Sequence, residues 1–158
     1  HSNSQDLPRK AEKSWVTVPN RWTAVAPKDS EDPLPIVDGT ELQSHHYLGP
    51  VASAELHPVA ALSIDRPITG LELTLKVQSD AKVRYASGYH ERFGAIFFGP
   101  NWSPRHAISF ELDVDSETPQ VISLTWDDDP IAPKQPTQIG LLPLNYPGTV
   151  TVMGVRIR

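Results

Sequence analysis

Aromatic, basic and amide side chains concentrate in one stretch of the chain, between Gly88 and His106. An aromatic ring packs against the apolar face of a sugar, while Arg, Asn and His side chains hydrogen-bond to the neighbouring hydroxyls. Pro100 and Pro104 flank Trp102 and predict a rigid loop that presents this side chain at a small ordering cost. The predicted ligand-binding residues are Tyr89, His90, Arg92, Asn101, Trp102, Arg105 and His106.

Each of these residues also has a purely structural interpretation. Trp102 would fold back and cap the hydrophobic core, and Arg92 would pair with Glu91 or Asp113. Arg92 and Arg105 would suit an anionic sugar, such as a uronic acid or a phosphate-bearing glycan, but are equally expected as exposed charges at strand ends. Because loops carry function only in some proteins, the sequence leaves both interpretations open.

Metal and catalytic sites find less support. The chain has no Cys, and His45 and His46 would point to opposite faces of an extended segment, so a zinc site is not predicted. Asp127-Asp128-Asp129 lacks the spacing of a calcium-binding loop, so a solvated acidic turn is favoured over a structural calcium ion, and no cofactor is predicted. No sequence motif of a serine hydrolase, a phosphate-binding loop or a zinc protease occurs, so binding is favoured over catalysis.

Composition excludes other classes of function. With 14 basic and 19 acidic residues, the net charge is −5, which argues against binding to nucleic acid. No apolar run is long enough to cross a bilayer, so no membrane insertion by this segment is expected. Proline accounts for 16 of 158 residues, and because proline interrupts helices, the chain is expected to contain little or no helix.

Alternating apolar and polar residues predict β-strands along much of the chain. The pattern runs without error from Leu71 to Gln78 and from Ile108 to Asp115, as expected for strands with one buried face. Turn residues such as Asp65-Arg66-Pro67 and Pro147-Gly148 separate such runs. The sequence therefore predicts an all-β, antiparallel two-sheet sandwich, with a jelly roll as the preferred arrangement. Shorter predicted strands are Val51 to Leu56, Ala60 to Ile64, Lys82 to Ala86, Ala95 to Phe98, Gln120 to Trp126 and Thr137 to Leu142.

The last predicted strand contains an irregularity. Val150 and Val152 point to one face, whereas Val155 and Ile157 would point to the other in a regular strand. A β-bulge at Met153-Gly154 would return all four to the same face, and we predict one there.

The chain is expected to form one domain. Residues 1–13 are polar and are predicted to be a flexible lead-in, and residues 14–158 are predicted to form a single β-sandwich domain. Residues 27–36 are a charged, proline-rich connector within that domain. The connector could wrap the outside of the domain or separate the first hairpin from the rest. We expect the wrapped arrangement, because the two tryptophans that precede the connector would be unfavourable on a free arm.

Residues 48–158 resemble the galactose-binding-like jelly-roll domains that are attached to bacterial polysaccharide enzymes and glycosyltransferases. The resemblance rests on residues 138–150 and on Val155-Arg156-Ile157. In such domains the penultimate strand ends in a Pro-containing loop and a Pro-Gly turn, and the closing strand runs beside it. Many members carry an acidic residue where Leu142 stands. The resemblance implies a non-catalytic carbohydrate-binding role in or near the bacterial envelope.

Three hypotheses follow for the function. The first is a carbohydrate-binding or accessory domain that acts on an extracellular or envelope polysaccharide. The second is a protein-interaction domain of a polysaccharide synthesis or export complex, tethered to a membrane through a segment outside this chain. The third is a small glycan hydrolase or lyase. An extracellular or periplasmic location fits all three.

Overall fold

The computed structural model describes residues 15–25, 37–44, 57–81, 93–126, 136–145 and 148–158. Within these ranges the chain forms β-strands and two short 3₁₀ turns, at Ser79–Ala81 and Pro104–His106, and no α-helix. The strands are β1 (Val16–Thr17), β2 (Thr23–Ala24), β3 (Val37–Asp38), β4 (Glu41–Ser44), β5 (Ala60–Ser63), β6 (Gly70–Val77), β7 (Phe93–Phe98), β8 (Ile108–Glu111), β9 (Gln120–Thr125), β10 (Gln138–Leu142) and β11 (Gly148–Ile157).

The strands form two antiparallel sheets. The six-stranded sheet has the order β3-β4-β11-β6-β9, with β1 also paired to β11, and the five-stranded sheet has the order β2-β5-β10-β7-β8. The predicted all-β, two-sheet antiparallel sandwich is confirmed.

The expectation that the closing strand runs beside the penultimate one was wrong. β10 belongs to the five-stranded sheet, whereas β11 pairs with β1, β4 and β6 in the other sheet. Pro143 and Leu144, which follow β10, are both buried, so the chain passes through the packed end of the sandwich. Because Pro143 has no backbone N–H, it also favours the end of strand pairing there.

The six-stranded sheet has one apolar face and one polar face. Leu71, Leu73 and Leu75 of β6 are buried, and Glu72, Thr74 and Lys76 between them are half-buried on the opposite face. This is the alternation expected of a strand with one face against the core. The buried face includes Leu42 of β4, Val77 of β6 and Val150, Val152, Val155 and Ile157 of β11.

The five-stranded sheet is buried on both faces at its centre. Residues paired across neighbouring strands share a face, and the pairs Leu62–Ile139 and Ile139–Phe98 belong to the core face. The pairs Gly140–Phe97 and Leu142–Ala95 belong to the outer face, and all four of these residues are buried as well. β7 and β10 therefore lack the alternation of β6.

The predicted bulge in β11 is confirmed. The register between β11 and β6 shifts between Val152 and Gly154, so that Val150, Val152, Val155 and Ile157 are all buried. Met153 is the extra residue, and its side chain is 53% exposed. A Cβ at Gly154 would have nothing within 4 Å, so the bulge itself does not require glycine.

The N-terminal segment contributes one short strand to each sheet. β1 pairs with the end of β11, and β2 pairs with β5. Between them, the Asn20 side-chain amide donates to the Val152 carbonyl at 2.7 Å, and Asn20 Oδ1 accepts from the buried Trp22 indole at 2.7 Å.

Most of the predicted strands that fall on described residues are present, with small shifts at their ends. The strand from Ile108 ends at Glu111, because Asp113 Oδ1 accepts from the Asp115 N–H at 3.1 Å and turns the chain, although Leu112 and Val114 remain buried. The β3–β4 hairpin was not predicted. The segments Val51 to Leu56 and Lys82 to Ala86, and the connector 27–36, lie outside the described residues.

Candidate functional site

The loop from Gly99 to Ala107 connects β7 to β8 and carries four of the predicted ligand-binding residues. The Gly99-Pro100 peptide bond is cis, and the Trp102 N–H donates to the Phe98 carbonyl at 3.2 Å. Ser103 then caps the 3₁₀ turn, because its Oγ accepts from the Arg105 N–H at 3.3 Å. The first hydrogen bond holds the loop to the end of β7, and the second lies within the loop.

Trp102 lies against the outer face of the five-stranded sheet. A Cβ at Gly140 would come within 2.9 Å of its ring, and a Cβ at Gly99 within 3.0 Å. On the other side of Gly140, Pro58 would be 2.7 Å from the same Cβ. The two glycines therefore leave the space that the indole ring occupies, and the ring is half-buried.

The backbone of Trp102 adopts a left-handed conformation, with φ at 53°. This region is sparsely populated by bulky residues, and strain of this kind costs on the order of 1–3 kcal/mol. Packing of the ring against Gly99 and Gly140 offsets that cost. Both features favour a fixed position of the ring on the surface of the sheet.

Polar side chains accompany Trp102 on the same outer face. Gln138 of β10 is exposed, and its Oε1 would be 2.5 Å from a Cβ at Gly99, which places the amide beside the indole. Gln138 pairs with the exposed Ser63 of β5. An aromatic ring bordered by an amide and a hydroxyl is suited to a ligand with an apolar face and polar edges.

The predicted residues that the structure describes all lie on one loop. Asn101 lies next to Trp102 and is exposed, and Arg105 and His106 are exposed on the 3₁₀ turn of the same loop. Tyr89, His90 and Arg92 lie outside the described residues. The Trp102 side chain is partly buried and packs against the residues of the hydrophobic core.

Sequence reasoning missed Gln138, Ser63 and the two glycines beneath the ring. The available signal was Gly140, because a glycine inside an otherwise apolar strand often marks a close approach of another group. The identity of that group depends on tertiary packing and was not readable from the pattern.

A second tryptophan, Trp15, lies on the outer face of the six-stranded sheet. Its ring is 3.1 Å from the Cβ position of Gly70, and the guanidinium carbons of Arg158 and Arg156 are 5.6 and 6.0 Å from the ring centroid. Arg156 also pairs with Glu72 at 3.2 Å, and the Ser123 hydroxyl donates to the other carboxylate oxygen of Glu72 at 3.1 Å. Trp15 thus already packs beside cations of its own chain.

Within the described ranges, no three His, Asp or Glu side chains lie close enough together to hold a metal ion. His57 hydrogen-bonds through Nδ1 to the Pro58 carbonyl at 3.1 Å. His45, His46 and Asp127 to Asp129 fall outside those ranges. No helix among the described residues is long and apolar enough to span a bilayer.

The chain has a jelly-roll β-sandwich fold. This is the fold that the sequence resemblance to galactose-binding-like domains implied. No protein-family model and no curated protein sequence matches the chain. Among solved structures, the chain is similar to a xylan-binding module CBM15, with a TM-score of 0.52 and 18% sequence identity. The similarity covers 90% of this chain and 94% of that module. At this level of identity the comparison establishes the fold.

Proposed function

We propose that the chain is a non-catalytic carbohydrate-binding domain that binds an extracellular or envelope polysaccharide of a bacterium. The observation that carries the proposal is the position of Trp102, half-buried on Gly99 and Gly140 with Gln138 beside it. Ser63 is the partner of Gln138 on the next strand. A sugar ring would stack on the exposed part of the indole, while the amide and hydroxyl bind its substituents. The similarity in fold to a xylan-binding module supports the same class of function.

The remaining predicted residues enter the proposal as supports. Asn101, Arg105 and His106 are exposed on the loop that carries Trp102, where they would contact the sugars next to the stacked ring. Tyr89, His90 and Arg92 are proposed contacts from the preceding segment of the chain.

The test is isothermal titration calorimetry with a panel of neutral and acidic polysaccharides, using Trp102→Ala and Trp15→Ala. Both tryptophans are half-buried on an outer face, so they form a matched pair on opposite sheets. Trp102→Ala should weaken binding at least about tenfold, as truncation of a central aromatic contact does, and Trp15→Ala should leave it unchanged. No binding by the wild type, or equal binding by Trp102→Ala, would contradict the proposal.

A second candidate function is protein interaction through the outer face of the six-stranded sheet. Val121 of β9, which is the outermost strand among the described residues of this sheet, is 61% exposed. Val121 pairs with Thr74, and Thr74 pairs in turn with Gly154 beside the exposed Met153. β9 contains no charged residue that would discourage pairing with another strand. If Val121→Lys abolishes a specific partner contact while Trp102→Ala leaves glycan titrations unchanged, this function replaces the first.

A further inference from the structure

A cavity of about 490 Å³ opens between the N-terminal segment and β5. One wall belongs to β5 and the turn that follows it, residues 61–66. The other wall consists of Thr17, Val18, Pro19, Arg21 and Thr23. The volume falls within the range of about 300–1,000 Å³ that is usual for small-ligand sites. Of the predicted ligand-binding residues that the structure describes, none lines it.

The lining combines an apolar base with polar groups at the rim. Leu62 and Ile64 are buried, and the hydroxyls of Thr17, Thr23 and Ser63 stand among the lining side chains. The ionic groups among the described lining residues are Arg21, Arg66 and Asp65, which together carry one net positive charge at neutral pH. Sugar-sized ligands with a negative charge fit such a lining better than neutral or cationic ones.

Both arginines are exposed at the rim. Arg66 contacts Asp65 through Nε at 3.5 Å, with the two side chains 53% and 86% exposed. An ion pair this open to water is weak, so a ligand carboxylate would compete with it readily. The planar guanidinium matches a carboxylate in a bidentate geometry that a single hydroxyl does not reproduce.

The cavity is continuous with the face that carries Trp102. Ala61 pairs with Gly140, on which the Trp102 ring lies, and Thr23 pairs with Ala61 on the next strand. The step from Gly140 to Thr23 therefore crosses two strand spacings, about 10 Å. A short oligosaccharide that runs across the strands is long enough to contact both Trp102 and the cavity.

We infer that this cavity is a second subsite, which binds a uronic acid unit of the glycan stacked on Trp102, with Arg21 and Arg66 donating to its carboxylate. The inference rests on the proposed carbohydrate-binding function and adds to it the class of glycan. Ser63, Thr23 and Thr17 would bind the sugar hydroxyls. Chains that carry acidic sugars would then be preferred over neutral chains of the same backbone.

The experiment compares an oligosaccharide that contains uronic acid with the same oligosaccharide after chemical reduction of its carboxyl groups. Titration calorimetry would use the wild type, Arg21→Gln/Arg66→Gln and the control Arg156→Gln, whose arginine lies on the opposite sheet. The wild type and the control should bind the acidic form about five- to tenfold more tightly, as for one or two charge-assisted hydrogen bonds. The double variant should bind both forms with the affinity of the reduced one.

The outcomes separate the two proposals. If the double variant retains the preference for the acidic form, or if the wild type shows none, the subsite is wrong while binding at Trp102 stands. If Trp102→Ala binds the oligosaccharide as tightly as the wild type, the proposed function is contradicted, and the subsite that rests on it is contradicted too. Thermal unfolding of the double variant should match that of the wild type, since both arginines are exposed.

Discussion

The outer faces of the two sheets are built from different residues. On the six-stranded sheet, Glu72, Thr74 and Lys76 stand among polar neighbours, and the Glu72–Arg156 pair and the Gln78–Thr151 hydrogen bond of 2.7 Å connect adjacent strands. On the five-stranded sheet, Phe97 is fully buried and Gly140 lies under the Trp102 ring. The outer face of the six-stranded sheet is polar at its centre and carries Trp15 beside two arginines. The outer face of the five-stranded sheet is apolar at its centre and carries Trp102 on two glycines.

This difference shows how a sandwich separates stability from recognition. Both sheets supply one face to the common core, which stabilises the fold. The outer face of the six-stranded sheet carries mostly polar side chains, with Trp15 beside Arg156 and Arg158. In the five-stranded sheet and the loop after β7, Gly140 and Gly99 stand where a side chain would displace Trp102. Glycine lowers stability because it loses more conformational freedom on folding than other residues. These glycines also leave the space in which the Trp102 ring is held.

The largest expected effect compares outer-face residues at the centre of each sheet. Phe97→Ala should lower the free energy of unfolding by about 3–5 kcal/mol, because the side chain is fully buried although it is on the outer face. Thr74→Ala should lower it by less than about 1 kcal/mol. Urea unfolding curves of the two variants measure both values. Equal losses would mean that the two outer faces are alike.

An intermediate effect is expected at the glycines. Gly140→Ala should destabilise by about 1–3 kcal/mol, because the new methyl group would meet Pro58 at 2.7 Å and the Trp102 ring at 2.9 Å. Gly154→Ala in β11 should change stability by less than about 0.5 kcal/mol, since its Cβ would meet nothing within 4 Å. Thermal unfolding with glycan titration provides the check. Unchanged stability and binding in Gly140→Ala would show that Trp102 is not held by this contact.

The smallest effect concerns the polar face. A double-mutant cycle of Glu72→Ala and Arg156→Ala should give a coupling free energy of about 0.2–1 kcal/mol, as for partly exposed ion pairs. The coupling should decrease at high salt, because solvated charges are screened. A coupling well above this range would show that the outer face of the six-stranded sheet contributes to stability as a packed surface does.

The strands could be predicted from local sequence patterns, whereas the sheet pairing and the position of Trp102 depend on contacts between distant residues. β6 was predictable because its alternation lies in consecutive residues, and the bulge at Met153 because the parity of Val152 and Val155 conflicts. The pairing of β11 with the opposite sheet depends on partners far away in the chain, as does the contact between Trp102 and Gly140. The sequence predicted the loop with its flanking prolines as a binding site, and that remains a prediction. It did not show against which surface the Trp102 ring would pack.

The edge strands of the N-terminal segment also have a mechanical consequence. β1 and β2 are two residues long; β1 belongs to the six-stranded sheet and β2 to the five-stranded sheet. In contrast, β11 is paired along most of its length with β6. A force applied ahead of Trp15 would peel β1 and then β2 away, breaking a few hydrogen bonds at a time. A force applied at Arg158 would also begin at the β1 pairing but would then have to extract a central strand. The two ends of this domain therefore differ in how much tension they bear before the sheets separate.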